Sequence, residues 1–271
     1  MKRVMNLKQN LVIKNFFESF KAIKSKKYYI LYPVIVDLLF ILSYGSVLGF
    51  FIGNIQEKAV ALIETGKSIL YSGGLIKGLL TNNQVISIVL STLGFMITTY
   101  IQYCIFQGVT WRFARKFVEE HVHFFSYLKK FFLVNIFWFF WFFIVEILDY
   151  VRRLLVYLRG EELTTTLFSG LLLFFIFVII YFAFISYALI NRYKIVEAVK
   201  KSFSLGIKKI NFFLLMHLII FLVFLIINLL LILTFKVNLI LMVIVGIVLV
   251  SPAYTWARVF LSLIVNELDK K

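Results

Sequence analysis

The chain has 271 residues, of which 62% are hydrophobic and 15% charged, and its mean hydropathy is +0.97. This composition excludes an ordinary soluble domain, in which roughly half of the residues are apolar. The formal net charge of +16 would suit nucleic acid, but the basic residues alternate with apolar stretches as they do in membrane proteins. We therefore expect no nucleic-acid partner.

Six apolar stretches are long enough to cross a bilayer, which takes about 20 helical residues. They are 28–53, 85–111, 131–150, 167–190, 210–233 and 237–257. Only the short sequence Thr234-Phe235-Lys236 divides the last two stretches, which predicts a tight turn there. The sequence thus predicts one polytopic all-α integral membrane domain over residues 1–271, with six transmembrane helices in three hairpins.

Lysine and arginine are distributed unequally between alternate loops. Of the 29 basic residues, 22 lie in the segments 1–29, 108–130, 191–211 and 257–271, and 7 lie in the loops between them. Cytoplasmic loops of membrane proteins carry such an excess of Lys and Arg. The pattern predicts a multi-pass protein of the cell membrane with both termini in the cytoplasm.

The first three basic segments have the spacing of amphipathic helices that lie in the membrane interface. Their predicted apolar faces are Ile13, Phe16, Phe17 and Phe20; Phe113, Phe117, Phe124 and Leu128; and Ile195, Val196, Val199 and Phe203. Predicted on the opposite faces are Lys14, Glu18 and Lys21; Arg115, Glu119 and Ser126; and Lys194, Glu197 and Lys201. We expect an interfacial helix before each hairpin, either as an anchor that sets topology or as a lipid-binding element.

A double lysine comes directly before each odd-numbered span, at Lys26-Lys27, Lys129-Lys130 and Lys208-Lys209. Each basic residue near an anionic leaflet contributes about 1 kcal/mol to membrane attraction. These lysines are therefore candidate ligands of anionic lipid headgroups. The repeated arrangement fits either an internal duplication or convergence on one interfacial chemistry.

Glycine recurs every fourth residue in the first span, at Gly45, Gly49 and Gly53. Small residues at this spacing let two membrane helices approach closely. The motif predicts helix packing, either inside the chain or with a protein partner or a second copy.

Polar residues inside the spans form the candidate intramembrane site. Asp37 and His217 lie ten and eight residues beyond the lysines that precede their spans, which places them about 12–15 Å deep. Gln102 and Ser251 have comparable depths. A pair of Asp37 with His217 would titrate near neutral pH and serve a proton-coupled step, whereas a static polar contact between helices is the alternative.

In the third span, Glu146, Asp149 and Arg153 share one face near the predicted outer boundary. Asp149 and Arg153 have the i,i+4 spacing of an ion pair, which leaves Glu146 as the candidate for a role on the outer side. No nucleotide-binding, metalloprotease or hydrolase motif occurs. His121 and His123 point in different directions on a helix, so neither a metal nor a cofactor is expected.

Residues 197–206, with the sequence EAVKKSFSLG, run into Asn211-Phe212-Phe213 and a membrane span. This stretch resembles the six-span membrane domain attached to some glycerophosphodiester phosphodiesterases and its free-standing prokaryotic relatives. The resemblance covers about 30 residues and implies an all-helical bundle. It implies no catalytic residues, because the hydrolase part of those proteins is absent here.

Two functions remain open at this point. One is a non-enzymatic membrane-organising or accessory subunit that binds anionic lipid and helix partners. The other is a small solute or lipid permease with a cytoplasm-facing polar cavity lined by Asp37, Gln102 and His217, with Glu146 as a further residue on the route.

Overall fold

The computed structural model describes residues 2–71, 83–118, 123–158 and 167–270, which are almost entirely helical. The elements are α1 (Lys2–Ser25), a 3-10 turn (Lys27–Ile30), α2 (Leu31–Tyr71), α3 (Asn83–Val118), α4 (Phe124–Leu158), α5 (Leu167–Leu189), α6 (Ile195–Lys208), α7 (Ile210–Val237) and α8 (Leu239–Asp269). Six segments are long and apolar enough to cross a membrane: Lys27–Lys58, Asn83–Val118, Phe124–Tyr150, Phe168–Leu189, Ile210–Val237 and Leu239–Asp269. The predicted all-α class and the number of candidate spans are confirmed. Their arrangement in hairpins, the interfacial helices and the orientation stay predictions.

Several helices continue beyond the predicted span ends. At 41 residues, α2 is about 60 Å long, twice the roughly 30 Å of a hydrocarbon core. The first of these helices continues past residue 53, the predicted end of its span, and no proline occurs between Gly53 and Tyr71. The last helix likewise continues past residue 257, and the span boundaries themselves stay predictions. There, α8 continues to Asp269 because the apolar periodicity continues through Phe260, Ile264 and Leu268, which are buried.

The predicted turn at residues 234–236 lies further along the chain. The break between α7 and α8 is Asn238, an extended residue with φ −163° and ψ 135°. Its Oδ1 accepts a hydrogen bond from the Ile240 backbone N–H at 2.7 Å, which is the geometry of a helix N-cap. Asn is favoured at the N-cap of a helix, so Asn238 is a better sequence signal for the break than the drop in hydropathy at Lys236.

The second predicted interfacial segment, residues 108–130, is not a separate helix. Residues 108–118 form the end of α3, and residues 124–130 begin α4. Residues 119–122, which include Glu119 and His121, lie outside the described part of the chain. In contrast, α1 and α6 are distinct helices that precede long apolar ones, as predicted.

The chain divides into two compact units, one of Met1–Val36 with Gly108–Lys271 and one of Asp37–Gln107. In the smaller unit, α2 and α3 pack antiparallel. Gln102 Nε2 donates to the Ser43 carbonyl at 3.4 Å, and the rings of Phe51 and Phe95 are 5.8 Å apart. Further along the same face of α3, a Cβ on Gly94 would lie 3.1 Å from Phe51 Cε1. The face of α3 that bears Gln102 and Gly94 thus packs against α2.

In the larger unit the buried residues concentrate at the helix ends that carry the basic segments, here called the basic side. The largest fully buried side chains there are Trp111, Arg115, Tyr127, Phe131, Tyr187, Phe213, Met216 and Phe260. Away from this end the apolar side chains face outward, as Phe221 and Ile226 of α7 do with exposed fractions of 61% and 59%. Such an apolar exterior is typical of a surface that contacts lipid.

Candidate functional site

The basic side of the larger unit contains a set of buried polar side chains that hydrogen-bond between helices. Burying a polar group is unfavourable unless it is hydrogen-bonded, so such a set specifies one packing arrangement. We call it the polar core; its members are Asn15, Ser19, Arg115, Asn135, Ser186, Tyr187, Trp256 and Asn266.

The first contact of the polar core joins α1 to α8. Trp256 Nε1 donates to Ser19 Oγ at 2.9 Å, and Asn15 Nδ2 donates to Glu267 Oε2 at 2.8 Å. Lys14 Nζ lies 3.0 Å from the other Glu267 oxygen. The ring of Phe20 stacks on Trp256 with centroids 5.5 Å apart. The α1 helix is therefore fixed to α8 by hydrogen bonds of its polar residues and by ring contacts of Phe20 and Phe16.

The predicted apolar face of α1 is largely turned away from the protein. Ile13, Phe17 and Phe20 are 47%, 58% and 49% exposed, whereas Asn15 and Ser19 are buried. This arrangement leaves an apolar surface with the exposed Lys14 beside it, in the composition of a helix that lies on a membrane.

On α6 the residues that are buried against the protein are not those of the predicted apolar face, and its place in the membrane interface stays a prediction. Its buried residues are the small Ala198, Ser202 and Gly206, and Val196 is 66% exposed. The rings of Phe182 and Tyr181 occupy the space beside Gly206, and Tyr181 Oη donates to the Gly206 carbonyl at 2.8 Å. Small residues allow this close approach, which a hydropathy pattern does not register.

Arg115 is a buried member of the polar core, although the sequence predicts it on the face opposite the apolar residues of an interfacial helix. Its side chain is fully buried, and Nη1 donates to Asn266 Oδ1 at 3.0 Å. The interfacial helix predicted here is absent, since α3 continues as one helix to Val118. Arg115 therefore shares the inner face with Trp111 and Ala114, both of which are also buried.

The carboxyl end of α8 bears a cluster of charges. Asp269 Oδ1 lies 2.8 Å from Lys201 Nζ, and Asp269 Oδ2 accepts from Tyr193 Oη at 2.8 Å and lies 3.6 Å from Arg192 Nη1. The hydrogen bonds of Lys201 to Asp269 and to Tyr193 raise the pKa of Lys201. Cations at this position offset both the aspartate and the negative end of the helix dipole.

The contact between α4 and α5 repeats the chemistry seen at α1 and α8. Trp138 Nε1 donates to Ser186 Oγ at 2.9 Å, the same distance as between Trp256 and Ser19. Tyr187 Oη donates to Asn135 Oδ1, and Tyr127 Oη donates to the Tyr187 carbonyl at 3.0 Å.

Sequence inspection missed this polar core, although a signal was present. A small hydroxyl residue precedes a large aromatic residue near the end of each even-numbered span, at Thr110-Trp111, Ser186-Tyr187 and Thr255-Trp256, and all six residues are buried.

Three of the predicted polar side chains within the spans, those of Asp37, Gln102 and His217, have a local partner. In the smaller unit, the buried Asp37 carboxylate accepts from Gln107 Nε2 at 3.2 Å, and Gln102 contacts Ser43 as described above. In the larger unit, His217 Nδ1 donates to the Phe213 carbonyl at 2.7 Å, and its ring lies 5.5 Å from Tyr181. Ser251 is buried, and its carbonyl accepts from Thr255 Oγ1 at 3.3 Å. The pairing of Asp37 with His217 stays a prediction.

The glycine motif of α2 faces open space. A Cβ built on Gly45, Gly49 or Gly53 would meet no atom of the described residues within 4 Å. The described part of the chain therefore gives no support to packing inside the protein, and the use of this edge by a partner or a second copy stays a prediction.

The predicted outer-side residues behave differently from one another. Asp149 pairs with Arg153 at 2.6 Å, as predicted, and also with Arg152 at 2.9 Å. The Glu146 side chain is exposed, and its role on the outer side stays a prediction. Within the described residues no group of three or more His, Cys, Asp and Glu side chains is placed to hold a metal.

Each predicted headgroup pair consists of one exposed and one half-buried lysine. Lys27, Lys129 and Lys208 are exposed, while Lys26, Lys130 and Lys209 are half-buried. Lys26 Nζ donates to the Lys116 carbonyl at 2.7 Å, and Lys130 Nζ donates to the Tyr193 carbonyl at 3.2 Å. In these two pairs, the half-buried lysine thus hydrogen-bonds to the end of a neighbouring helix or turn, and the exposed lysine stays accessible.

No protein-family model matches the chain, and comparison with curated proteins and with solved structures finds no match either. The resemblance to the membrane domain of glycerophosphodiester phosphodiesterases therefore stays a prediction.

Proposed function

We propose that this chain is a non-enzymatic integral membrane protein that acts as a membrane-organising or accessory subunit and binds anionic lipid on its basic side. The observation that carries the proposal is the fixed position of α1. Buried hydrogen bonds from Asn15 and Trp256 secure its polar face, so its exposed apolar face is a permanent surface of the protein. Exposed lysines surround the same side of the larger unit, which suits an anionic leaflet.

The open glycine edge of α2 supports the second part of the proposal, a helix partner. Gly45, Gly49 and Gly53 leave room for a second helix backbone at every fourth residue. In this proposal the edge receives either a membrane helix of another protein or a second copy of this chain. The proposal also takes the basic side to be cytoplasmic, as the distribution of Lys and Arg predicts, so that the lipid belongs to the inner leaflet.

The permease alternative has less support. Asp37 is already hydrogen-bonded to Gln107, and His217 donates to a carbonyl of its own helix. Both contacts suit a static polar interior better than a proton route, which needs groups that exchange partners.

The proposal is tested by native mass spectrometry of the purified protein with its retained lipids. Wild type should retain anionic phosphatidylglycerol in preference to phosphatidylcholine. The triple variant K27Q/K129Q/K208Q should lower this preference by at least about tenfold, since each basic residue near the leaflet contributes about 1 kcal/mol. The exposed Lys236, in the last turn of α7 and far along the helix from the basic segments, provides the control K236Q, which should leave the preference unchanged.

Equal retention of the two lipids by wild type would contradict the lipid part of the proposal. Proton-coupled solute flux in proteoliposomes, if Asp37→Asn abolished it, would contradict the accessory-subunit function and support the permease.

A further inference from the structure

A cavity of about 210 Å³ lies on the basic side where the 3-10 turn meets the end of α3. Its described lining residues are Lys26, Tyr29, Lys116 and Phe117. Two of the four carry an ammonium group and none carries a carboxylate. The volume and the charge together suit a small anionic group.

The two ammonium groups are held in place and keep donors available. Lys26 Nζ donates one hydrogen bond to the Lys116 carbonyl at 2.7 Å, which leaves two of its three N–H groups. Lys116 Nζ lies 5.7 Å from the centre of the Tyr29 ring, a cation–π contact that uses no N–H in a hydrogen bond. Capping of α3 therefore uses one N–H group of Lys26. It uses no N–H group of the Lys116 ammonium.

The floor of the cavity is rigid. Phe117 packs with Ala114 and Val259 in a buried apolar cluster, and Ile30 of the 3-10 turn packs against the same cluster. A ligand would therefore bind to a surface that is already ordered, which lowers the entropy cost of binding.

Exposed aromatic and apolar residues continue from the cavity along the start of α2. Tyr28 and Tyr32 are 73% and 54% exposed, and tyrosine is enriched where a membrane helix meets the headgroup region. One helical turn apart, Leu31 and Ile35 are 56% and 52% exposed. A phosphate in the cavity would thus lie beside an apolar track on which an acyl chain of the same lipid can pack.

We infer that the cavity lined by Lys26, Tyr29 and Lys116 is a discrete binding site for a phosphate group with net negative charge, with the headgroup of an anionic glycerophospholipid as its source. The inference rests on the proposed lipid-binding function and sharpens it from a diffuse attraction to one bound lipid. Lys26 and Lys116 bind the phosphate oxygens, Tyr29 orients Lys116, and the acyl chains lie along Leu31 and Ile35.

The test compares two single charge removals by native mass spectrometry with phosphatidylglycerol. Lys116→Gln removes a cavity lysine, and Lys200→Gln removes an exposed lysine of α6 that does not line the cavity. We expect wild type to retain one phosphatidylglycerol that survives mild activation. Lys116→Gln should weaken that binding about fivefold, the equivalent of one basic contact, and Lys200→Gln should leave it unchanged.

Equal weakening by the two substitutions would overturn the discrete site while leaving the general lipid-binding proposal intact. Equal retention of phosphatidylcholine and phosphatidylglycerol at this site would overturn it as well. Tyr29→Leu, which keeps both lysines, should also weaken binding, and unchanged binding would count against the assigned role of the ring. Thermal unfolding of each variant in detergent establishes that it is folded.

Competition identifies the source of the phosphate. Failure of inorganic phosphate and glycerol 3-phosphate to displace the lipid at millimolar concentration supports the lipid headgroup as the ligand. Displacement by either one supports the same cavity as a site for a soluble phosphate compound instead.

Discussion

At the scale of single residues, the polar core determines how the helices of the larger unit meet. Arg115 is the most demanding member, because a charged group that is fully removed from solvent is tolerated only with hydrogen-bond acceptors around it. Asn266 provides one of them from α8. The contact therefore ties the end of α3 to the last helix of the chain.

The first prediction concerns this acceptor. Asn266→Ala should lower the free energy of unfolding by about 1.5–3 kcal/mol, because hydrogen bonds to charged groups contribute that much and the guanidinium stays buried. Chemical unfolding in detergent, followed by tryptophan fluorescence, measures the change.

Asn211→Ala is the matched control, since Asn211 is exposed at the start of α7, and it should change stability by less than about 0.5 kcal/mol. If Asn266→Ala lowers the free energy of unfolding no more than the control does, the other contacts of Arg115 are enough to stabilise its buried charge.

At the scale of secondary-structure elements, the short helices α1 and α6 attach by faces that hydropathy does not indicate. On α1 the attaching face is polar, with Asn15 and Ser19, and on α6 it is small, with Ala198, Ser202 and Gly206. The two buried serines each donate to the carbonyl three residues back, Ser19 to Phe16 at 2.6 Å and Ser202 to Val199 at 2.7 Å. Each of these serines also precedes a phenylalanine, Phe20 or Phe203, so the two helices share a local sequence as well as this geometry, whether by duplication or by convergence.

The second prediction tests the small-residue face of α6. A Cβ on Gly206 would lie 2.6 Å from Phe182 Cε1 and 3.0 Å from Tyr181 Cε1. Both rings are restrained. The Phe182 ring packs against the Phe203 ring with centroids 4.5 Å apart, and Tyr181 is held by its hydrogen bond to the Gly206 carbonyl. Gly206→Ala should therefore destabilise the protein by about 1–3 kcal/mol through overpacking, measured as the shift in thermal unfolding.

Gly170→Ala in α5 is the control for the same chemical change. A Cβ there meets nothing among the described residues within 4 Å, so the better helix propensity of alanine should leave stability equal or up to about 1 kcal/mol higher. Equal behaviour of the two variants would mean that the α5–α6 contact relaxes freely around an added methyl group.

The elements also show which features of the fold follow from the sequence. The number of candidate spans follows directly, because an apolar run of about 20 residues is a strong local signal. The ends of α2 and α8 do not follow, because helix continuation depends on backbone hydrogen bonds and on partners such as α1, which hydropathy ignores. For the same reason, the ion pair of Asp149 with Arg153 was predictable from spacing within one helix, whereas the burial of Arg115 depends on a residue 151 positions away.

At the scale of the whole molecule, the distribution of charge predicts the orientation in the membrane. The third prediction uses single cysteines in a Cys104→Ala background, since Cys104 is the only cysteine and is buried. With a membrane-impermeant maleimide on intact cells, Lys236→Cys in the last turn of α7 should react. Ser204→Cys on the exposed side of α6 should react only after permeabilisation.

Labelling of both cysteines from outside, or of Ser204→Cys alone, would contradict the cytoplasmic placement of the basic side. The same result would remove the basis for a lipid site on the inner leaflet. A reaction of Lys236→Cys alone would instead place the exposed face of α1 on that leaflet.

The bond between Trp256 and Ser19 joins residues 237 positions apart. During synthesis α1 is made long before α8, so Asn15 and Ser19 lack their partners on α8 until that helix has been made as well. The docking of α1 on α8 is therefore a late step in the assembly of the basic side, and it depends on the insertion of the helices that lie between them in the chain.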